Sequence, residues 1–196
     1  MLNKKEMDIL KLIIANITED LTISDISRLL KQKYAQTYNL MSIIYDNSLI
    51  KKKNIGKSIV IKPDLSHEDY IGAEIERRKD ILKQKNIALV YESIRALENN
   101  FICVLFGSYA KCKQKKDSDI DLLFIVDSDT EIFERKAKNQ LSLYNVDINI
   151  ITPDELFNMW SSADKTNVGN ELLKAHVVLY GADHFINLLR KHYAGR

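Results

Sequence analysis

Cysteine, proline, glycine and tryptophan are all scarce in this chain, with two Cys, two Pro, six Gly and one Trp in 196 residues. Cys103 and Cys112 make no metal-ligand pattern, and His67, His176, His184 and His192 are scattered, so a zinc constellation is excluded. Cys103 alternates into a strand and is expected in the core, and Cys112 is expected as an exposed thiol in a reducing compartment. No apolar run approaches the roughly 20 residues that a membrane-spanning helix needs. The opening Met-Leu-Asn-Lys-Lys-Glu lacks the apolar core of a signal peptide, so a cytoplasmic protein without membrane contact is expected. No internal repeat or low-complexity segment is present. With so few chain breakers, each proline is informative. Pro63 ends one apolar run, and Pro153 follows Thr152 and precedes Glu155 in the order of a capped helix start.

What the chain does have is an ordinary apolar fraction, 45%, and an uneven charge distribution. The formal net charge is only +2, yet residues 1–62 hold eleven Lys and Arg against six Asp and Glu, and the remainder holds eighteen against twenty-one. A basic head on a mildly acidic body is the pattern of a nucleic-acid-binding module joined to another domain.

The most informative stretch is Gly107-Ser-Tyr-Ala-Lys-Cys-Lys-Gln-Lys-Lys-Asp-Ser-Asp-Ile-Asp121. A Gly-Ser pair ends the apolar run Phe101–Phe106, and Asp119 and Asp121 flank Ile120 ahead of the apolar run Leu122–Val126. On a strand, positions i and i+2 share a face, roughly 6.6 Å apart. The two carboxylates therefore aim together while Ile120 turns inward. Paired carboxylates beside a small turn with free amides and a hydroxyl suit a divalent cation carrying a triphosphate. Downstream, Val146, Ile148 and Ile150 alternate with Asp147 and Asn149, the period of a strand with one buried face. Alone, Asp147 reads as a solvated strand aspartate, within reach of a neighbouring strand about 4.8 Å away. Asp117, Asp127 and Asp129 stand in turn-like settings that suit loop capping.

Gly107, Ser108, Asp119 and Asp121 fill the pattern G-S-x(10)-D-x-D without a gap, and the stretch resembles the polymerase-beta-like nucleotidyltransferases, most closely the minimal members of that superfamily. The resemblance implies transfer of a nucleoside monophosphate from an NTP, ATP being favoured, with release of pyrophosphate. It implies two Mg2+ ions, which Mn2+ can replace, with Asp119, Asp121 and Asp147 as catalytic and metal-binding residues. Gly107, Ser108 and Lys111 would bind the nucleotide. Lys113, Lys115 and Lys116 read equally well as a solvated charge run. One departure is Cys112, which stands where the family usually carries glycine after a basic residue. Glycine there would end the short helix in a left-handed conformation that cysteine adopts reluctantly.

The head has its own periodicity. Ile9, Leu10, Ile13, Ile14 and Ile17 form one helical stripe within residues 6–17, followed by a short strand-like Leu21–Ile23. Ser24 is the expected cap of a second helix carrying Ile26, Leu29 and Leu30 inward. A third helix is expected over 35–46, with Leu40, Ile43 and Ile44 inward and Gln36, Thr37, Tyr38, Asn39 and Ser42 outward. Residues 49–53 and 57–62 read as a lysine-rich hairpin turning at Gly56. Three helices and such a hairpin resemble a winged helix-turn-helix, which implies DNA as a partner. Gln36, Thr37, Tyr38 and Asn39 are then the candidate groove-facing residues, and Lys51, Lys52, Lys53 and Lys57 the candidate phosphate contacts.

The rest reads as a helical connector over 66–83 and an amphipathic helix over 86–98 with Ile87, Val90, Tyr91, Ile94 and Leu97 on one face. Behind the strands come a helix opened by Thr152, with Phe157 and Trp160 expected in the core, and a helical region over 170–192 broken at Gly181. The expectation is a two-domain α+β chain. Residues 1–62 form a winged helix-turn-helix, 63–85 a connector, and 86–196 a nucleotidyltransferase domain on a small mixed sheet. Such fusions resemble regulators of toxin–antitoxin type. The acceptor would be a protein hydroxyl, for instance a tyrosine on a HEPN-type toxin, or an RNA end, and paired half-sites would favour a homodimer. The rival expectation is a DNA-binding regulator whose rear domain only senses Mg-NTP and transfers nothing.

Overall fold

The computed structural model describes residues 2–98, 100–164 and 166–194. The chain divides into two compact units, Met1–Glu74 and Ile75–Arg196, with the division falling inside a helix of residues 69–81. The sequence expectation put the first boundary at residue 63.

The first unit holds α1 (Lys4–Ala15), α2 (Ile23–Leu29), α3 (Tyr34–Asp46) and an antiparallel hairpin of β1 (Ile50–Ile55) and β2 (Ser58–Pro63). Asn3 and Glu6 cap α1 reciprocally, and its buried stripe is Ile9, Leu10, Ile13 and Ile14, as its spacing requires. The hairpin turns at Gly56, whose φ of +59° is the left-handed conformation that glycine adopts without strain. Leu21 bridges to Ile61 and so adds one strand-like contact to the hairpin. Tyr70 closes this core by donating its hydroxyl to the Leu49 carbonyl at 2.7 Å.

Three details of this unit correct the sequence expectation. The cap of α2 is Thr22 rather than Ser24: its hydroxyl accepts from Asp25 N–H, and the Asp25 carboxylate accepts from Thr22 N–H. Leu29 and Ile43, expected inward, are exposed, and Leu40 is only half-buried. The inward stripe of α3 is Thr37, Met41 and Ile44 instead. A shift of one residue rotates a helical face by about 100°, which is enough to turn Thr37 from the surface into the core. Its hydroxyl faces the Lys33 carbonyl at 3.4 Å.

The second unit is built on a mixed four-stranded sheet of β3 (Ile102–Leu105), β4 (Ile120–Ile125), β5 (Val146–Ile151) and β6 (Val177–Tyr180), in the order β5-β4-β3-β6. β4 and β5 run parallel, and the other pairs are antiparallel. The helices are α4 (Asp69–Ile81), which begins in the first unit, α5 (Lys85–Arg95), α6 (Gly107–Ala110), α7 (Thr130–Gln140), α8 (Pro153–Ser161), α9 (Val168–Lys174) and α10 (Ala182–Ala194). One face of the sheet packs Ile120, Leu122 and Phe124 against Ile87, Val90 and Ile94 of α5 and Phe133 and Ala137 of α7. Asp121 and Leu123 turn to the opposite face, because successive strand residues alternate. Thr152 caps α8 with Glu155 as read from the sequence. Trp160 is fully buried and donates to the Gly169 carbonyl at 2.8 Å. Phe157, expected in the core, is half-buried and meets Trp160 edge-on.

Residues 177–180 are a strand, where a continuing helix was expected. Four residues are too few to show a period, and pairing with β3 overrides the local helical pattern. Gly181 breaks the chain as expected, with φ +73° and the Phe101 carbonyl oxygen 2.9 Å from where a side chain would start. The helix α7 is an element the sequence reading leaves unassigned. Among the described residues no helix is long and apolar enough to cross a membrane.

Candidate active site

Phe106 ends β3 in an extended conformation, and the chain turns at Gly107, φ +64°, into the single turn of α6. Phe106 N–H donates to the Asp121 carbonyl at 3.1 Å, which fixes Asp121 opposite the turn. A β-carbon on residue 107 would lie 1.9 Å from Asp121 Oδ2 and 2.6 Å from its carboxyl carbon. Only glycine fits. The carboxylate occupies the place of the missing side chain and accepts a hydrogen bond from Ser108 N–H.

The parallel register sets Asp121 directly beside Asp147 on β5, at the inter-strand separation of about 4.8 Å. Asp119 precedes β4 and is exposed. Burial holds the Asp121 carboxyl above the usual carboxylate range, and the Asp119 charge adds to this, as do Asp147 and Glu171. The Ser108 N–H works the other way, since it bonds to the ionised form. The three aspartates thus lie at one end of the sheet, and Asp121 feels the charge of the other two. Among the described residues no three His, Cys, Asp or Glu side chains are grouped to hold a metal ion. Asp121 is turned to Ser108, and Asp147 takes the Asn149 amide at 3.4 Å.

Two features fit a polyanionic ligand held by a cation. Ser108 Oγ is buried and has no hydrogen-bond partner among the described residues. An orphaned hydroxyl is costly inside a protein, and a phosphate oxygen would satisfy it. The second feature is the Gly107 turn itself, whose left-handed φ of +64° at the start of α6 is the kind of bend that can present backbone amides to an oxyanion. The donor set also suits a hard cation, since Mg2+ prefers carboxylate oxygens and keeps several waters.

Lys111 follows α6 and pairs with Glu171 of α9 at 3.5 Å. Glu171 was not singled out in the sequence, because nothing in local spacing ties it to residues 107–121. Cys112 does adopt the left-handed conformation, φ +52°, so the loop keeps the path that glycine would give it and carries the strain. Lys113, Lys115 and Lys116 are exposed.

In the first unit, Tyr38 and Asn39 are exposed and Gln36 is half-exposed, but Thr37 is fully buried and drops out of the outward set. Lys51 pairs with Asp64 at 3.2 Å, and Lys52 lies over the Tyr45 ring, 3.6 Å from its centroid. Lys53 and Lys57 are exposed.

Comparison with curated proteins and with solved structures gives no match. A family model described as polymerase beta, nucleotidyltransferase matches residues 76–185. That span is more than half the chain and holds the Gly107 turn together with Asp119, Asp121, Asp147 and Glu171. The chain belongs to the polymerase beta nucleotidyltransferase family.

Proposed function

We propose that this protein is a metal-dependent nucleotidyltransferase that moves a nucleoside monophosphate from an NTP, ATP foremost, onto a protein or RNA hydroxyl. The observation that carries the reading is the Asp121 carboxylate seated against Gly107 and bonded to Ser108 N–H, next to a hydroxyl with no partner. Ser108 Oγ and the adjacent amides would hold the outer phosphates, and Lys111 would swing from Glu171 toward the same charge. Asp119, Asp121 and Asp147 would hold Mg2+, two ions with Mn2+ as a substitute. When bound, these ions neutralise charge on the phosphates and acidify the acceptor hydroxyl. The acceptor oxygen then forms a bond to the α-phosphorus, the bond from that phosphorus to the bridging oxygen breaks, and pyrophosphate leaves. The hydroxyl proton passes to solvent.

The first unit is proposed as a winged helix-turn-helix that tethers the enzyme to DNA, with α3 toward the groove and the lysine hairpin on the backbone. Its order of three helices and a hairpin, its excess of basic residues, and the exposed Lys53 and Lys57 support this. A toxin–antitoxin-like or regulatory setting suits this pairing, with a HEPN-type partner or an RNA end as acceptor and a homodimer on paired half-sites.

Labelled ATP, Mg2+ and a cell extract test the enzyme. Label should appear on a macromolecule and vanish with Asp119→Ala or Asp121→Ala. Tight nucleotide binding without transfer would instead mark a nucleotide sensor. A gel shift on the upstream DNA, with Lys52→Glu and Lys53→Glu, tests the tether. Unchanged binding in those variants would remove the hairpin from the interface.

A further inference from the structure

One exposed flank of α3, next to its buried stripe, is aromatic. Tyr34, Tyr38 and Tyr45 are 55%, 51% and 43% exposed, large values for rings of this size. Positions four and eleven residues beyond Tyr34 return to within about 40° of it around the helix. The three rings therefore form one stripe, about 16 Å long, beside the buried Met41 rather than opposite it. Tyr34 and Tyr38 lie 6.2 Å apart between ring centroids. Lys52 of β1 reaches across to the Tyr45 ring, 3.6 Å from its centroid, and brings a cation to the end of the stripe. The one carboxylate on α3, Asp46, lies about 80–120° around the helix from the rings. Gln36 and Asn39 point to that other side as well.

We propose that this tyrosine–lysine stripe binds unpaired nucleotides of a single strand, their bases stacking on the rings and their phosphates drawn to Lys52 and Lys57. The proposal rests on the reading of the first unit as a nucleic-acid binder and names the form of nucleic acid that this side takes. Exposed ring faces match unpaired bases, because in a duplex each base face is covered by its neighbours. Stacking on aromatic side chains beside a basic groove is the physics of single-strand binding. The lysines argue against an apolar protein face, which would have to bury their ammonium groups at a cost. The net excess of basic residues in positions 1–62 favours a polyanion.

The test is fluorescence anisotropy on the full chain with three labelled oligonucleotides of one sequence, about 16 nucleotides long: single-stranded DNA, single-stranded RNA, and the DNA duplex. Tyr38→Leu and Tyr45→Leu keep apolar surface but remove the stacking face, and Tyr38→Phe and Tyr45→Phe keep it. Both positions are exposed side chains, and circular dichroism checks that the helices persist. Each Leu variant should weaken single-strand binding at least about fivefold, the Phe variants should leave it unchanged, and duplex binding should be unchanged in Tyr45→Leu, which lies outside the groove-facing set. Comparison of the DNA and RNA strands identifies which of them the stripe holds more tightly. Single-strand binding that survives both Leu substitutions overturns the stripe while leaving the duplex-binding tether standing. If neither strand form nor duplex binds, the nucleic-acid reading of the whole unit falls with it.

Discussion

At the scale of single residues, the site depends on atoms with no freedom to move. Gly107→Ala would combine a left-handed φ with a β-carbon 1.9 Å from Asp121 Oδ2. The backbone penalty alone is about 1–2 kcal/mol, and displacement of Asp121 should lower transfer by about a hundredfold, read as a fall in both melting temperature and labelling rate. Ser108→Ala should separate the two readouts. Its hydroxyl has no partner to lose, so thermal stability should hold or rise, while NTP affinity should fall by about tenfold or more, as for a lost hydrogen bond to a charged group. Asp121 makes a prediction about pH. Its carboxyl keeps a proton to higher pH in the folded chain than in the unfolded one, so ionisation weakens the fold as pH rises above the ordinary Asp value of about 3.9. Asp121→Asn should therefore raise the melting temperature at neutral pH in chelator-treated buffer, and the gain should disappear in acid below that value. The two thiols should also differ. Burial pushes the Cys103 thiol well up, and Cys112 is exposed, so alkylation of the native chain should label Cys112 alone.

At the scale of elements, local signals were sufficient wherever a segment makes its own case. The Thr152-Pro153-x-Glu155 start of α8 needs no tertiary help, and Thr152→Ala should cost about 1 kcal/mol, or about 2–4 °C in melting temperature. The strands β4 and β5 were legible from alternation and apolar runs. The strand β6 was not, since its four residues draw their identity from β3. Val178 is fully buried opposite Val104, so Val178→Asp places an unpaired charge in the sheet. It should destabilise the second unit by more than about 3 kcal/mol, measured by urea unfolding. In α3 the spacing predicted a helix correctly but its rotation wrongly. Thr37 at the surface and Thr37 in the core differ by one step of the same apolar pattern, and only packing of α3 against α1, α2 and β1 selects between them.

At the scale of the whole molecule, charge and chemistry are divided between two units. Nucleic-acid binding by the first should fall steeply with salt, because each phosphate contact releases a counterion. Replacing Lys57 by Ala should reduce the slope of log affinity against log salt by about 1. Mg-NTP should slow hydrogen exchange in the second unit around β3, α6 and β4, since a ligand at a hundred times its Kd adds about 2.7 kcal/mol to the state that binds it.

The sequence by itself determined the Gly107-Ser108 turn, the paired Asp119 and Asp121, the alternation that makes Asp147 a strand residue, and the mixed α+β character of the chain. These are local matters, decided by side-chain period and by residues with unusual backbone freedom. Tertiary structure alone decided that Asp147 stands in register with Asp121, that Glu171 approaches from α9 to pair with Lys111, and that tyrosines line one exposed flank of α3. Each of those depends on pairing or packing between segments separated along the chain, where no local period carries information.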